Sequence, residues 1–433
     1  MERKGKKIQY VWVIIALCAL MIFTCLGFCS STNSLFINKV TEHLQVDRGI
    51  YAINQSLRFI ATAVVNLFFG SMIVKFGAKK LLIAGFASLA TGVTVYGLAE
   101  SIYVFYIGGI LLGIGFAWTG TTMVGYIVNQ WCKNNRGTIM GMILASNGIG
   151  GALAMQIVSP IIESGATGYK RAYFLIAIII LAVGILVAIL MKEKPTTEEE
   201  EEETVAPSKK KKRGQTWTGI EISDAVRRPY FYVTLLCVFF TGMSLQGING
   251  VSAAHMKDVG IDPAYVATVL SCHSLALTGF KFLVGILYDK LGLRVTTTIC
   301  SLTSVAVMIT LTLVTASKFG LVLAMIYGVF SALALPLETI MLPIYAGDLF
   351  GEKSYGKVLG IIASVNTAGY ALGSPVVNLC FDVTGSYSIA FFICAATMVV
   401  VTVGMQFVIS KAARIKRAVA AAEALQRAET VTG

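Results

Sequence analysis

Charge is what this sequence has least of. Asp, Glu, Lys and Arg make up 13% of its 433 residues, about half the share of a soluble globular chain, which excludes an ordinary water-soluble domain. Nine cysteines are present, but no CxxC and no Cys/His spacing of the kind that holds a metal. They lie in apolar runs and read as small apolar side chains, so no metal is expected. A GxxxxGK[ST] phosphate loop is also missing, which argues against ATP-driven pumping by this chain. No nucleophile–base constellation stands out, so neither enzymatic activity nor a cofactor is expected. The net charge of +12 would point to nucleic acid in a soluble protein; the placement of the charges points elsewhere.

What fills the chain instead is hydrophobic sequence, 56% of all residues, gathered into runs long enough to cross a bilayer core of about 30 Å. The first, Tyr10 to Phe36, follows the basic start Arg3-Lys4-Gly5-Lys6-Lys7. It is too long for a secretory signal and other spans follow at once, so it is read as a retained helix. The expected spans are 10–36, 50–73, 79–99, 102–130, 137–160, 170–191, 230–254, 264–288, 294–316, 319–345, 355–382 and 388–410. With the N-terminus on the cytoplasmic side, 27 of the 35 Lys and Arg residues fall in cytoplasmic segments and 6 in outer loops. This is the positive-inside pattern, so the expectation is a multi-pass cell-membrane protein with both termini cytoplasmic. The expected domains are a first half (1–191), a charged linker (192–229), a second half (230–410) and a tail (411–433) that continues as a helix. The linker carries an acidic run, Glu198 to Glu203, and a basic run, Lys209 to Arg213. Like charges repel, so it is expected to be disordered, its basic residues near anionic lipid.

The halves repeat each other. Gly70, Lys75 and Gly77 after the second span match Gly285, Lys290 and Gly292 after the eighth, 215 residues on. Gly137, Gly141, Asn147 and Gly150 of the fifth span recur 219 residues later in the eleventh, where Asn366 answers Asn147. The fold class expected is an all-α membrane protein of about twelve transmembrane helices in two six-helix pseudo-symmetric halves. Parallel halves rocking about a central site are a known design for alternating access.

The stretch Gly285, Asp289, Lys290, Gly292, Arg294 resembles the loop motif G-x-x-x-D-R/K-x-G-x-R/K of the major facilitator superfamily, and Gly70, Lys75 and Gly77 resemble a second copy with Val74 in place of the acid. The resemblance implies that these residues form a cytoplasmic gate. Within that superfamily the chain looks like the monocarboxylate transporters and the oxalate/formate antiporters, which place a cation four residues before the motif glycine. Here it is Lys281, where those families have arginine. A lysine offers a point charge rather than a planar fork. The acid that monocarboxylate transporters often carry four residues earlier is Leu277 here, and the second lysine of oxalate carriers aligns with Asn366.

Ionisable residues deep in the spans are few: Arg58, Lys281, Glu338 and His273. Burial of charge costs several kcal/mol, so each needs a cavity or a partner. Lys281 lies about 12 Å above Asp289 at the helical rise and is expected to meet a substrate carboxylate, with structural pairing and snorkelling as the other readings. Arg58 lies about 12 Å below the outer end of its span, where an anion entering a central cavity could meet it. Glu338, at a depth resembling that of Lys281, is expected either to couple a proton to transport or to form a fixed salt bridge with Lys281. Asn147 and Asn366 read as substrate contacts or interhelical hydrogen bonds; His273 and His255 read as hydrogen-bonded structure.

These readings converge on a secondary active transporter of a small organic anion by alternating access, with proton symport or anion exchange. Expected partners are the anion, protons and membrane lipid, with no nucleic acid, and the chain is expected to act as a monomer. The alternatives are a carrier of a neutral or drug-like solute with Lys281–Glu338 a structural pair, and a non-transporting membrane sensor, which the short linker and tail disfavour.

Overall fold

Apolar runs without water around them must satisfy their backbone internally, and here they do so as helices. The computed structural model describes residues 2–46, 48–132, 135–165, 167–192 and 219–432. The chain begins with α1 (Glu2–Ile22), which runs on through a π-helical stretch, Phe23–Ser30, and the helical turns of Asn33–Leu44. Next are α2 (Arg48–Leu67, bent into Phe69–Phe76), α3 (Ala78–Leu98), α4 (Ile102–Thr119 and Thr121–Trp131), α5 (Arg136–Glu163) and α6 (Gly168–Leu190). After the linker come α7 (Pro229–Asp258), α8 (263–291) and α9 (293–312), divided at Gly292. The last are α10 (Lys318–Ala334, Pro336–Thr339 and Met341–Phe350), α11 (Tyr355–Thr384) and α12 (Tyr387–Thr432).

Nine helices among the described residues are long and apolar enough to cross a membrane, ten with the bent α2. Separating α8 from α9 at Gly292, whose φ of 79° no ordinary helix contains, adds one. The twelfth is α11, 30 residues long. It is less apolar because it presents Ser364, Asn366 and Thr367 to neighbouring helices instead of to lipid, and all three are buried.

The sequence repeat is a repeat in space. Gly150 of α5 packs on the backbone of Phe23 in α1, and Gly369 of α11 packs on that of Phe239 in α7. Between membrane helices the attraction is close van der Waals contact, which small residues permit. The two asparagines sit beside these contacts. Asn147 accepts a hydrogen bond from Ser31 Oγ (3.4 Å), linking α5 to α1, and Asn366 Nδ2 donates to the carbonyl of Val238 (3.2 Å), linking α11 to α7. Asn366 is thus held through its amide nitrogen and, among the described residues, Asn147 through its carbonyl oxygen alone. The helix breaks repeat as well: α4 parts at Gly120 and α10 at Pro336, which has no N–H to give.

The two charge runs of the linker lie outside the described residues. Its end departs from the expected disorder: Ile220 N–H donates to the carbonyl of Phe350 (3.0 Å) and a short helix, Ile222–Val226, follows. Glu221 pairs with Lys353 at 2.8 Å, and the lysine's hydrogen bond and charge hold the Glu221 carboxyl below the usual carboxylate range.

Candidate functional site

The halves meet along two helix pairs, α2 with α11 and α5 with α8. On α2 the stripe that faces α11 is Phe59, Ala63, Asn66 and Gly70, at helical spacing. Phe59 meets the Tyr370 ring edge to face at 5.8 Å. Ser364 Oγ donates to the carbonyl of Ala63 at 2.7 Å, and Gly70 lies against the backbone of Gly356 and Lys357. On the other seam Gly285 lies against Gly137, Lys281 against Gly141, and Thr278 against Gly148. These contacts run from mid-membrane to the face that bears both termini, which is therefore shut.

The loop motif supplies the latch. Helix α5 begins at Arg136, so the N–H groups of Gly137 and Thr138 have no intrahelical acceptor. The Asp289 carboxylate, from the other half, accepts from both, at 3.1 and 2.7 Å, at the positive end of the helix dipole. Arg136 in turn pairs with Glu352 at 2.7 Å, again across the halves. The motif's second glycine has a backbone reason: Gly292 has φ 79° and Gly77 also φ 79°, where other residues are strained. Arg294 ties α9 to α12 through Gln406 (2.9 Å) and Ser410 (2.6 Å). Lys290 is exposed, and Lys75, exposed too, lies over the Phe76 ring at 5.3 Å. Val74, which stands where the first copy would carry the acid, is 82% exposed and latches nothing. Of the two copies of the motif, the second thus reaches across the halves with a carboxylate and the first does not.

An Asp289→Ala change should weaken closure by about the 1–2 kcal/mol of a lost helix cap. We expect the population open at the termini face to rise severalfold, read as a longer distance between spin labels on the exposed Lys75 and Lys290. An unchanged distance distribution would contradict the latch.

Above this floor sits Lys281, 4% exposed. Among the described residues its ammonium makes no ion pair and no hydrogen bond, and Lys281–Glu338 is not a pair. The salt-bridge alternative fails for a geometric reason. Glu338 lies in the short turn Pro336–Thr339 at the α10 break, and the polar group facing it is the Tyr370 hydroxyl of α11. Its Oε1 is buried without a hydrogen-bond partner. His273 Nδ1 is engaged with the carbonyl of Gly328 (3.0 Å) and Ser331 Oγ (2.9 Å), and His255 Nε2 with the carbonyl of Leu311 (3.1 Å). Both are structural.

Arg58 is not where a central-cleft site would put it. It points away from α11, into the interior of the first half, where its guanidinium lies over Phe59 (5.2 Å) and Phe116 (5.3 Å). It lines a small cavity with Cys29 and Thr32 of α1, Tyr96 of α3 and Tyr173 of α6, and no residue of the second half takes part. The structure brings neither Asn147 nor Asn366 into this cavity. Tyr370 and the tyrosines around Arg58 did not stand out in the sequence. Tyr51, seven residues before Arg58 and so on the same helical face, was the available signal.

Two pseudo-symmetric six-helix halves, closed over buried charge by glycine seams and a carboxylate latch, define a secondary transporter. The profile of the Major Facilitator Superfamily matches residues 15–249 and 234–430, and the chain belongs to that family. It is similar to the sialic acid transporter NanX of Escherichia coli, at 23% identity over 82% of this chain and 84% of that one. It is also similar to monocarboxylate transporter 13 of Bos taurus (26% identity, 74% and 71%) and to multidrug resistance protein 2 of Bacillus subtilis (22%, 81% and 83%). Among solved structures, the transporter FucP in the outward conformation shares the fold with a TM-score of 0.71 at 14% identity, over 92% of this chain and 99% of that one.

Proposed function

We propose that this chain carries a small monocarboxylate-like anion across the cell membrane by alternating access, with both termini and the linker in the cytoplasm. The observation that carries the reading is Lys281: a cation 4% exposed, just above the closed gate, with no anionic partner among the described residues. An ammonium in that position is costly until an anion arrives, so a carboxylate gains from it what a neutral solute does not. The names of two relatives point the same way, since one specifies sialic acid and the other monocarboxylates. The orientation rests on the excess of Lys and Arg in the terminal and linker segments, whose basic cluster would meet anionic lipid. The units are residues 1–191 and 230–410, joined by 192–229 and followed by the tail 411–433, acting as a monomer.

Glu338 supplies the coupling. Its carboxyl faces one hydroxyl and leaves an oxygen unpaired at the break in α10, so it is placed to take up and release a proton as α10 and α11 move against each other. This favours proton symport over plain exchange. Asn147 and Asn366 brace the helices that flank the cleft, and the substrate passes between them. The neutral-solute alternative required Lys281 to be neutralised by Glu338, and the two do not pair.

A binding assay separates the readings. A ligand that binds the folded state alone raises its melting temperature, by about 2.7 kcal/mol of stabilisation at a hundred times Kd. Lactate, pyruvate or formate should raise it for the purified protein and fail to do so for Lys281→Ala, while neutral sugars do nothing in either. Stabilisation by neutral sugars and by no carboxylate would overturn the anion reading.

A further inference from the structure

The cavity around Arg58 has a composition that the cleft between the halves does not explain. Arg58 is 7% exposed, Tyr51 4%, Tyr96 3% and Tyr173 4%. The guanidinium has five N–H donors, and among the described residues none has a hydrogen-bond acceptor. Its neighbours offer more donors. The hydroxyls of Tyr51 and Tyr173 face each other across α2 and α6, yet neither makes a well-formed hydrogen bond, and both are buried. The Tyr96 oxygen accepts from Asn54 Nδ2 at 2.6 Å, which leaves its own O–H to give. Among the described residues no carboxylate lines the cavity.

The two aromatic faces over which the guanidinium lies offset part of its burial, on the order of 1 kcal/mol each, and they do not satisfy its N–H groups. A buried polar group left unpaired is costly, and a charged one more so. A guanidinium and the phenol hydroxyls of Tyr96 and Tyr173 lining one void, with the Tyr51 hydroxyl beside that of Tyr173, are complementary to a negative charge. The size of that void narrows the choice. At about 10 Å³ it holds one water-sized occupant, which excludes a sugar or a drug-like solute. The π-helical stretch Phe23–Ser30 brings Cys29 and the adjoining Thr32 to its wall; such stretches recur at functional sites because they re-aim side chains.

We propose that this cavity is an anion site enclosed in the first six-helix half, separate from the cleft between the halves. It takes a small monovalent anion of halide size. The site requires Arg58 for charge and the hydroxyls of Tyr96 and Tyr173, which line the cavity, for geometry. Its occupant neutralises the only membrane-buried guanidinium among the described residues and ties α2 to α6.

The test uses purified full-length protein, with melting temperature followed against sodium bromide, sodium formate and sodium gluconate at constant ionic strength. We expect bromide to raise the melting temperature of the wild type, with gluconate, too large for the void, ineffective, and formate ineffective when read in Lys281→Ala, where the cleft site is removed. A formate response that persists in Lys281→Ala would contradict a halide-sized site. Tyr173→Phe and Tyr96→Phe keep the ring and remove the donor, so each should weaken the response at least severalfold, and Arg58→Gln should abolish it. If Arg58→Gln does not fold, the two phenylalanine variants decide. Equal bromide responses in wild type and Tyr173→Phe, or no response to bromide in the wild type, overturn the site. Lys281→Ala should keep the bromide response. Loss of uptake with that response intact separates the two sites, and uptake that survives in Lys281→Ala defeats the proposed function while leaving this inference standing.

Discussion

Lys281→Ala is expected to reduce carboxylate uptake at least about thirtyfold while the amount of folded protein in the membrane stays normal. The magnitude follows from the site. Removing one member of a buried, hydrogen-bonded charge pair costs about 2–5 kcal/mol, and 1.4 kcal/mol is a factor of ten in affinity. Folding should not suffer. In the substrate-free protein the ammonium makes no ion pair and no hydrogen bond among the described residues, so alanine removes a burial cost instead of a contact. The α5–α8 seam is also preserved, because it is the backbone of Lys281 that lies against Gly141. Lys281→Arg is the informative companion. A guanidinium restores the charge with a planar fork, and partial recovery of carboxylate uptake is expected. Normal uptake by Lys281→Ala would remove this residue from the mechanism.

Glu338→Gln should separate accumulation from exchange. Glutamine keeps the shape and the hydrogen bond to Tyr370 but cannot carry a proton in and out. One pH unit is worth about 1.4 kcal/mol per proton, so a symporter of one proton per substrate gains about a tenfold gradient from it. The wild type should therefore concentrate substrate in vesicles that are alkaline inside, and the variant should equilibrate labelled substrate without concentrating it. Retained uphill accumulation in Glu338→Gln would place the proton elsewhere. Tyr370→Phe is expected to resemble a mild form of the same defect, since it removes the hydroxyl that faces the carboxyl.

The gate glycines give a smaller set of expectations with the same logic. A methyl at Gly285 would stand 2.7 Å from the carbonyl carbon of Gly137, and one at Gly70 the same distance from that of Gly356. Both are backbone contacts between the halves that cannot yield by a rotamer change. Alanine at either position should hold the termini face open and stop the transport cycle while leaving each half folded. Accessibility of an introduced thiol near the gate would report the change.

Much of this architecture was legible because the chain states it twice. Glycines spaced alike in the two halves fall at the same two backbone needs: close approach at Gly70 and Gly285, and a positive φ at Gly77 and Gly292. Val74 stands where the first copy of the motif would carry an acid, so that copy has no carboxylate to offer the other half. The side-chain geometry was less accessible. In α2 a residue at position 58 and its neighbour at 59 point about 100° apart, and only tertiary packing decides which meets the other half. Phe59 does, and Arg58 turns inward. Depth alone suggested that Lys281 and Glu338 should meet, but depth does not fix the direction in which a side chain leaves a helix, and the break before Pro336 re-aims Glu338 toward α11. The tyrosines around Arg58 carry no motif; their hydroxyls become notable only when the fold leaves them buried without partners.

The measurement that tests the account most directly is uptake by purified protein in liposomes. Labelled formate, acetate, lactate, pyruvate and oxalate would be compared with neutral sugars, with and without an imposed pH gradient. The account predicts uptake of one or more small carboxylates, strengthened by inward-directed protons, and none of the sugars. Uptake confined to neutral or cationic solutes would contradict it.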